Sequence, residues 1–400
     1  MPVPFPDDTD VNLDPPEPPE ILHVARGVMT AVAPPEGLTR MQTLCFRSLS
    51  DAMTGHPLDL AAVTPISAED YARGLARRDR AFRVRMVQMM IVLALLLRRV
   101  PPEVAARLQE FADELSVGED CRDLLNATRH LAAGALGLAM ADFERNGYET
   151  MAYERSGDGA EHTAAEYWAA SPNDPELAAR WQSLEQCAAG TLGRRMWEFY
   201  RARGFAFPGT PGSAPPALAQ HDWIHVIGDY GTTVESELEV FGLIARASDD
   251  PRAFTLLIQV LGLFESGYLQ AGMGLFQMDV GHLSADEEAM ALRLADAFRR
   301  GARAAWSHND ANGTDTGIDL LAEDWFAHAD QTLDEVRATF FLDGPAAKSA
   351  EAVAVGSVGP WEAGGISPYQ AQAGRDRAEA EGRPYEAYGA TPAPQEPRPG

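Results

Sequence analysis

The residues best suited to chemistry lie in one stretch, HDWIHVIGDYGTTVESELEVF, from His221 to Phe241. On a helix His221 and His225 are four apart and project side by side, with Asp222 flanking them. Two imidazoles at this spacing can hold one divalent metal. Glu237 follows His225 with eleven residues between, among them Gly228 and Gly231, which allow a sharp turn. A second helix beginning near Thr232 would carry Glu237 back across from the histidines. A two-His, one-carboxylate core with an open position suits iron-dependent oxygen chemistry, and the same ligands accept zinc or manganese. A plainer reading of the same residues stands beside this one. Histidines at this spacing also serve as hydrogen-bonding groups, and Glu235, Glu237 and Glu239 form a solvated acidic face in many helices. The stretch is not the metalloprotease H-E-x-x-H, because position 222 holds Asp.

The elements around this stretch read as helices throughout. Apolar residues recur at helical spacing over Ile21–Val32 and Leu38–Met53, and Phe82–Val100 pairs with Pro102–Leu115 across a Pro101-Pro102 break. Asp123–Asn146 reads as one helix stopped at Asn146-Gly147. Asp174-Pro175 opens a second helical region, Thr191–Arg203 ends at Gly204, and Asp250-Pro251 starts an apolar helix to about Met278. Ser284–Glu287 and Thr332–Glu335 have the form of capping boxes. The expected fold is all-α, in two helical domains covering residues 21–146 and 174–343, with the second a metal-binding bundle. Residues 147–173 are expected to link them. Residues 1–20 and 344–400, rich in Pro, Ala, Gly and acidic side chains, are expected to be disordered.

Composition excludes several functions. The formal net charge is −26 at pH 7, which repels phosphate and excludes a nucleic-acid footprint. Three cysteines, Cys45, Cys121 and Cys187, make neither a disulfide framework nor a thiolate zinc site. The acidic, Pro-rich start lacks the features of a secretory signal or a transit peptide, so a cytoplasmic location is expected. The longest nearly apolar stretch, Met86 to Leu97, is too short to span a bilayer and reads as a buried helix. A single lysine, Lys348, stands among many arginines.

Beyond the residues themselves, His221-Asp222-x-x-His225, eleven residues, then Glu237 resembles the signature of the coenzyme Q (ubiquinone) biosynthesis protein family Coq four. Gly190-Thr191-Leu192-Gly193, the helix ending Arg203-Gly204-Phe205, the turn His225 to Thr232, and Asp324-Trp325-Phe326 with Leu333 to Arg337 are similar to the flanks of that signature. The likeness covers about residues 174–342. It implies His221, Asp222, His225 and Glu237 as ligands and catalytic groups, with a divalent zinc, iron or manganese as cofactor. It implies oxidative decarboxylation at ring carbon one of a polyprenylated hydroxybenzoate. A prenyl-lipid-binding organiser of quinone-biosynthesis proteins is the non-catalytic alternative. MVQMMIVLALLLRRVPPEVAARLQEFADEL faintly resembles a tellurite-resistance B-like helical domain.

The helix over Leu256–Phe276 is apolar nearly all round, with glycines interleaved. It reads either as a core helix or as a groove for an isoprenoid tail, lined by Leu256, Val260, Leu263, Gly267 and Gly272. Membrane contact is then at most peripheral, at the inner face of the cytoplasmic membrane, and a homodimer is one assembly this reading allows. An HD-type metallophosphohydrolase is a third reading of His221-Asp222. It would draw on His130 or His162 and on Asp279.

Overall fold

The computed structural model describes residue 16 and residues 18–97, 99–153, 173–211, 213–214, 216–248, 251–265, 286–314 and 317–386. Among these the chain is all-helical, with isolated bridges at Thr191–Thr332 and Ser248–Gly317 in place of strands. The first seven helices are α1 (Pro18–Val32), α2 (Arg40–Thr54), α3 (Ala68–Gly74), α4 (Arg80–Leu95), α5 (Pro102–Glu114), α6 (Arg122–Ala132) and α7 (Leu136–Tyr153). Side-chain caps fix the starts of α2, α3 and α4. Thr39 forms a full capping box with Gln42, and Asp79 accepts from the Phe82 amide at 2.7 Å.

The expected single helix over Asp123–Asn146 is two helices. Gly134 takes a left-handed φ of 72° between them, and the chain stays helical through Asn146-Gly147 to Tyr153. A glycine two residues beyond Ala132 stops α6, because only glycine enters the left-handed region without strain. Residues 147–153 therefore belong to α7, and residues 154–172 of the expected linker lie outside the described residues.

Among the described residues nine helices follow: α8 (Pro175–Ser183), α9 (Leu192–Arg203), α10 (Pro216–Gly228), α11 (Val234–Ala247), α12 (Pro251–Glu265), α13 (Glu287–Asn312), α14 (Leu333–Thr339), α15 (Ala350–Ala354) and α16 (Pro368–Ala380). Thr332 and Glu335 make the expected capping box. At α13, however, the cap is Asp286, accepting from Ala289 N at 3.1 Å, and Ser284 lies outside the described residues. The expectation that the chain is disordered from Gly344 onward is corrected through residue 386. Ser367 caps α16 in a capping box with Gln370, and Arg377 and Tyr385 donate to the Phe205 and Ala202 carbonyls.

One continuous apolar core runs through both halves of the chain. α4 is buried nearly all round, and its apolar residues accordingly fall on every side of the helix, with Arg85 and Gln88 buried among them. Each fully covered Leu or Met there contributes roughly 1.5–3 kcal/mol of transfer free energy. Gln42, buried where α1, α2 and α4 meet, donates to the Val32 and Leu93 carbonyls, so its amide is satisfied. Arg85 of α4 donates to the Ala245 carbonyl of α11 at 3.1 Å, and Arg40 of α2 pairs with Glu288 of α13 at 3.3 Å. No described helix is long and apolar enough to cross a membrane.

Candidate metal centre

α10 and α11 are antiparallel neighbours joined by a five-residue turn, residues 229–233. Asp229 makes the bend, at a left-handed φ of 60°, immediately after Gly228 ends α10. The bend was expected at the glycines, but Gly231 has a different purpose. A Cβ at Gly231 would lie 2.7 Å from Gly365 Cα, so glycine is needed for two backbones to approach. Thr233 then caps α11 through the Ser236 amide.

The last turn of α10 is held by cations from later in the chain. Arg337 donates to the Val226 and Ile227 carbonyls, Arg300 to Gly228, and Lys348 to Asp229. Helix C-termini leave carbonyls without intrahelical donors and carry partial negative charge, and these side chains answer both needs.

His221, His225 and Glu237 come together, with one ligand atom from each within 4.8 Å of the others. His225 Nε2 lies 3.2 Å from Glu237 Oε2, and His221 Nε2 lies 3.5 Å from the same oxygen. Both rings are oriented from behind. His225 Nδ1–H donates to the Gly231 carbonyl at 2.7 Å, and His221 Nδ1–H donates to the Leu218 carbonyl. That arrangement turns both Nε2 atoms to one point, as metal-binding imidazoles require. Phe199 stacks on His225 at 5.7 Å between centroids, and Phe241 stacks on His221 at 5.1 Å.

Burial sets the electrostatics. His225 is 0% exposed and Glu237 6% exposed. Burial opposes a charged His221, but the Asp222 and Glu237 carboxylates outweigh it and raise the ring to about 9. Burial pushes the Glu237 carboxyl up, yet the two imidazoles win and hold it far below its ordinary range. His225 Nε2 is buried and makes no hydrogen bond. An orphaned buried nitrogen, a second imidazole and a carboxylate converging on one point fit a divalent cation, which would take the place of the proton on His221.

Asp222 stands beside this group. Its Oδ2 accepts a 2.6 Å hydrogen bond from the Tyr200 hydroxyl, and its Oδ1 lies 3.4 Å from His221 Nε2. Burial, opposed by the two histidines, raises the Asp222 carboxyl, and burial beside Asp222 raises the Tyr200 phenol well above 10, so Tyr200 remains a donor. The acidic face suggested by Glu235, Glu237 and Glu239 is not solvated. Glu239 is fully buried and pairs with Arg293 at 2.6 Å.

Tyr200, Phe199 and Arg203 were legible in the sequence only as part of an aromatic helix stripe ending in Arg203-Gly204. Nothing local marks a buried arginine as a support. Of the residues suggested for a lipid, Leu256 and Val260 are half-buried against the core. Leu263 belongs to α12, but its side chain is not described, and Gly267 and Gly272 lie outside the described residues. Phe254 of the same helix lines an apolar cavity of about 120 Å³ between α1, α2 and α4. His130 contacts Asp142 at 2.6 Å, while His162 and Asp279 lie outside the described residues. Among the described residues the histidine–carboxylate group at α10 and α11 is the one arrangement of this kind.

Set against known proteins, the chain matches no family model, no curated protein and no solved structure.

Proposed function

We propose that this protein is a metal-dependent enzyme that oxidatively decarboxylates a polyprenylated hydroxybenzoate-type ring at carbon one, with dioxygen and a two-electron donor as co-reactants: the carboxylate leaves as carbon dioxide, one oxygen atom enters as the ring hydroxyl and the other leaves as water. The observation that carries the metal reading is the convergence of His221 Nε2, His225 Nε2 and Glu237 Oε2, with His225 Nε2 buried and otherwise unpartnered. The substrate class follows from the resemblance of the His221-to-Glu237 signature and its flanks to the coenzyme Q family. His221, His225 and Glu237 would hold zinc, iron or manganese. When bound, the metal would supply Lewis acidity toward the departing carboxylate and, as iron, one-electron chemistry.

The chain's own groups have definable parts in this proposal. The Gly231 and Leu218 carbonyls hold both imidazoles with Nε2 forward. Asp222, held by the Tyr200 hydroxyl beside His221, would be the group that takes or returns a proton. Phe199 and Phe241 cover the two imidazoles and keep water from them. Half-buried Leu256 and Val260 offer apolar surface for an isoprenoid tail, with membrane contact peripheral.

Metal analysis, solvent extraction and turnover on one purified sample test the reading. Stoichiometric metal, a prenyl-lipid mass and release of carbon dioxide from a prenylated hydroxybenzoate are expected. Full turnover by a metal-free sample would overturn it. Lipid and metal without turnover of any precursor would instead support the organiser of quinone-biosynthesis proteins.

A further inference from the structure

The segment after Gly344 does more than cover the surface. Val358, Gly365 and Gln370 reach the turn between the two ligand helices, more than a hundred residues back along the chain, and Pro360 reaches Arg203. The Gly231 amide donates to the Val358 carbonyl and the Thr232 amide to the Gly365 carbonyl, each at 2.9 Å. The Thr232 hydroxyl donates to Gln370 Oε1 at 2.5 Å and accepts from Arg203 Nε at 2.8 Å. Arg203, 1% exposed, also donates through Nη2 to the Pro360 and Gly365 carbonyls, at 3.0 and 3.1 Å. Its guanidinium lies 3.9 Å from the centre of the Phe199 ring, the ring that stacks on His225.

These bonds all lead to one atom. The Gly231 carbonyl takes the Nδ1–H of His225, and its peptide neighbours on both sides are tied to the C-terminal segment. We infer that residues 358–370 are the positioning element of the metal centre, acting through Thr232, Gln370 and Arg203 on the orientation of His225. The inference rests on the metal reading for its purpose, but the orientation of the ring can be read without metal. None of these three side chains touches the ligand atoms, so they are positioning residues. Hydrogen-bond partners one step behind a ligand typically change metal affinity by about 10–100-fold when removed.

The test compares the full-length chain with Gln370→Ala, Thr232→Val, Gln370→Glu and, as a control on α16, Gln372→Ala, whose side chain bonds to Arg375 and Asp376 of its own helix. Zinc(II) affinity is measured by chelator competition, and exchange of the His225 Nδ1–H is measured by ¹⁵N NMR on metal-free protein. Gln370→Ala and Thr232→Val are expected to weaken zinc binding by about 10-fold or more and to speed that exchange by a similar factor. Gln370→Glu, which keeps the acceptor, and Gln372→Ala should stay within about threefold of wild type on both readouts, a margin well inside the 10–100-fold range. Should Gln370→Ala fail to fold, Thr232→Val, nearly isosteric, decides alone. Unchanged exchange in folded Thr232→Val and Gln370→Ala overturns the positioning role, as does unchanged zinc affinity in a chain that binds zinc. A wild-type chain that takes up no zinc, iron or manganese overturns the metal reading instead, and the exchange measurement still decides the role of the segment.

Discussion

Helices α4 and α10 are both buried over most of their length, yet they use burial differently. α4 surrounds Met90, Ile91, Val92 and Leu93 with hydrocarbon, and its interior contribution is transfer free energy. α10 places His225 and Asp222 at equal depth, beside Trp223 and Ile224. Its buried polar atoms draw partners from α9, α11, α13 and α14, and His225 Nε2 is left without a hydrogen bond. α4 therefore contributes mainly stability, whereas α10 spends contacts from distant parts of the chain on holding a few atoms in place. The difference teaches that depth alone does not identify a core helix; the fate of its polar atoms does.

The contrast can be broken most forcefully at Leu93, which is 1% exposed. Leu93→Ala should lower unfolding free energy by about 2–5 kcal/mol in a urea titration while leaving metal content unchanged below the transition. A folded variant that loses its metal would show that α4 also shapes the site. At α10 the order reverses. His225→Ala should lower metal affinity at least 100-fold, or about 2.7 kcal/mol, by equilibrium dialysis, with helicity kept in circular dichroism. Retention of stoichiometric metal would remove His225 from the site.

A step outward the effects shrink. Tyr200→Phe removes the donor to Asp222 and should weaken metal binding by about 10-fold, and equal binding would reduce that contact to packing. A separate effect concerns pH. His221 is raised from its ordinary 6.5 to about 9, so its contribution to metal-free stability is complete below 6.5 and is lost as pH rises through about 9. Glu237 is depressed from 4.5, so its contribution is complete above 4.5 and is lost as pH falls below that value. Urea midpoints of the metal-free protein should therefore decline from pH 6.5 toward 9. Metal affinity should rise over the same interval, because the ion displaces the proton on His221. Midpoints that stay flat for wild type between pH 6.5 and 9 would mean that His221 is not charged in the folded chain.

Much of this was legible along the chain. Thr191 and Thr332 announce helix starts because an N-cap acts within three residues, and the range of that interaction matches what local sequence can report. His221 and His225 share a helix face for the same local reason. The sequence suggested a bend between Gly228 and Gly231 but not its mechanism: Asp229 turns the chain, and Gly231 is required by Gly365, which no neighbouring residue reveals. Composition misjudged the stretch after Gly344. Its few apolar groups could not form a core alone, yet Ile366 and Ala371 are buried against Ala202 of α9.

The sequence by itself determined the helical character, the cap positions and the spacing that lets His221, His225 and Glu237 meet. Tertiary structure decided which nitrogen each ring presents, that Asp222 is bound to Tyr200, that Glu239 belongs to Arg293, and that the C-terminal segment closes on Thr232. The physical reason is range. Caps and helix faces depend on bonds a few residues long, whereas a buried polar atom accepts whatever donor the fold brings to it, and that donor can lie a hundred residues away.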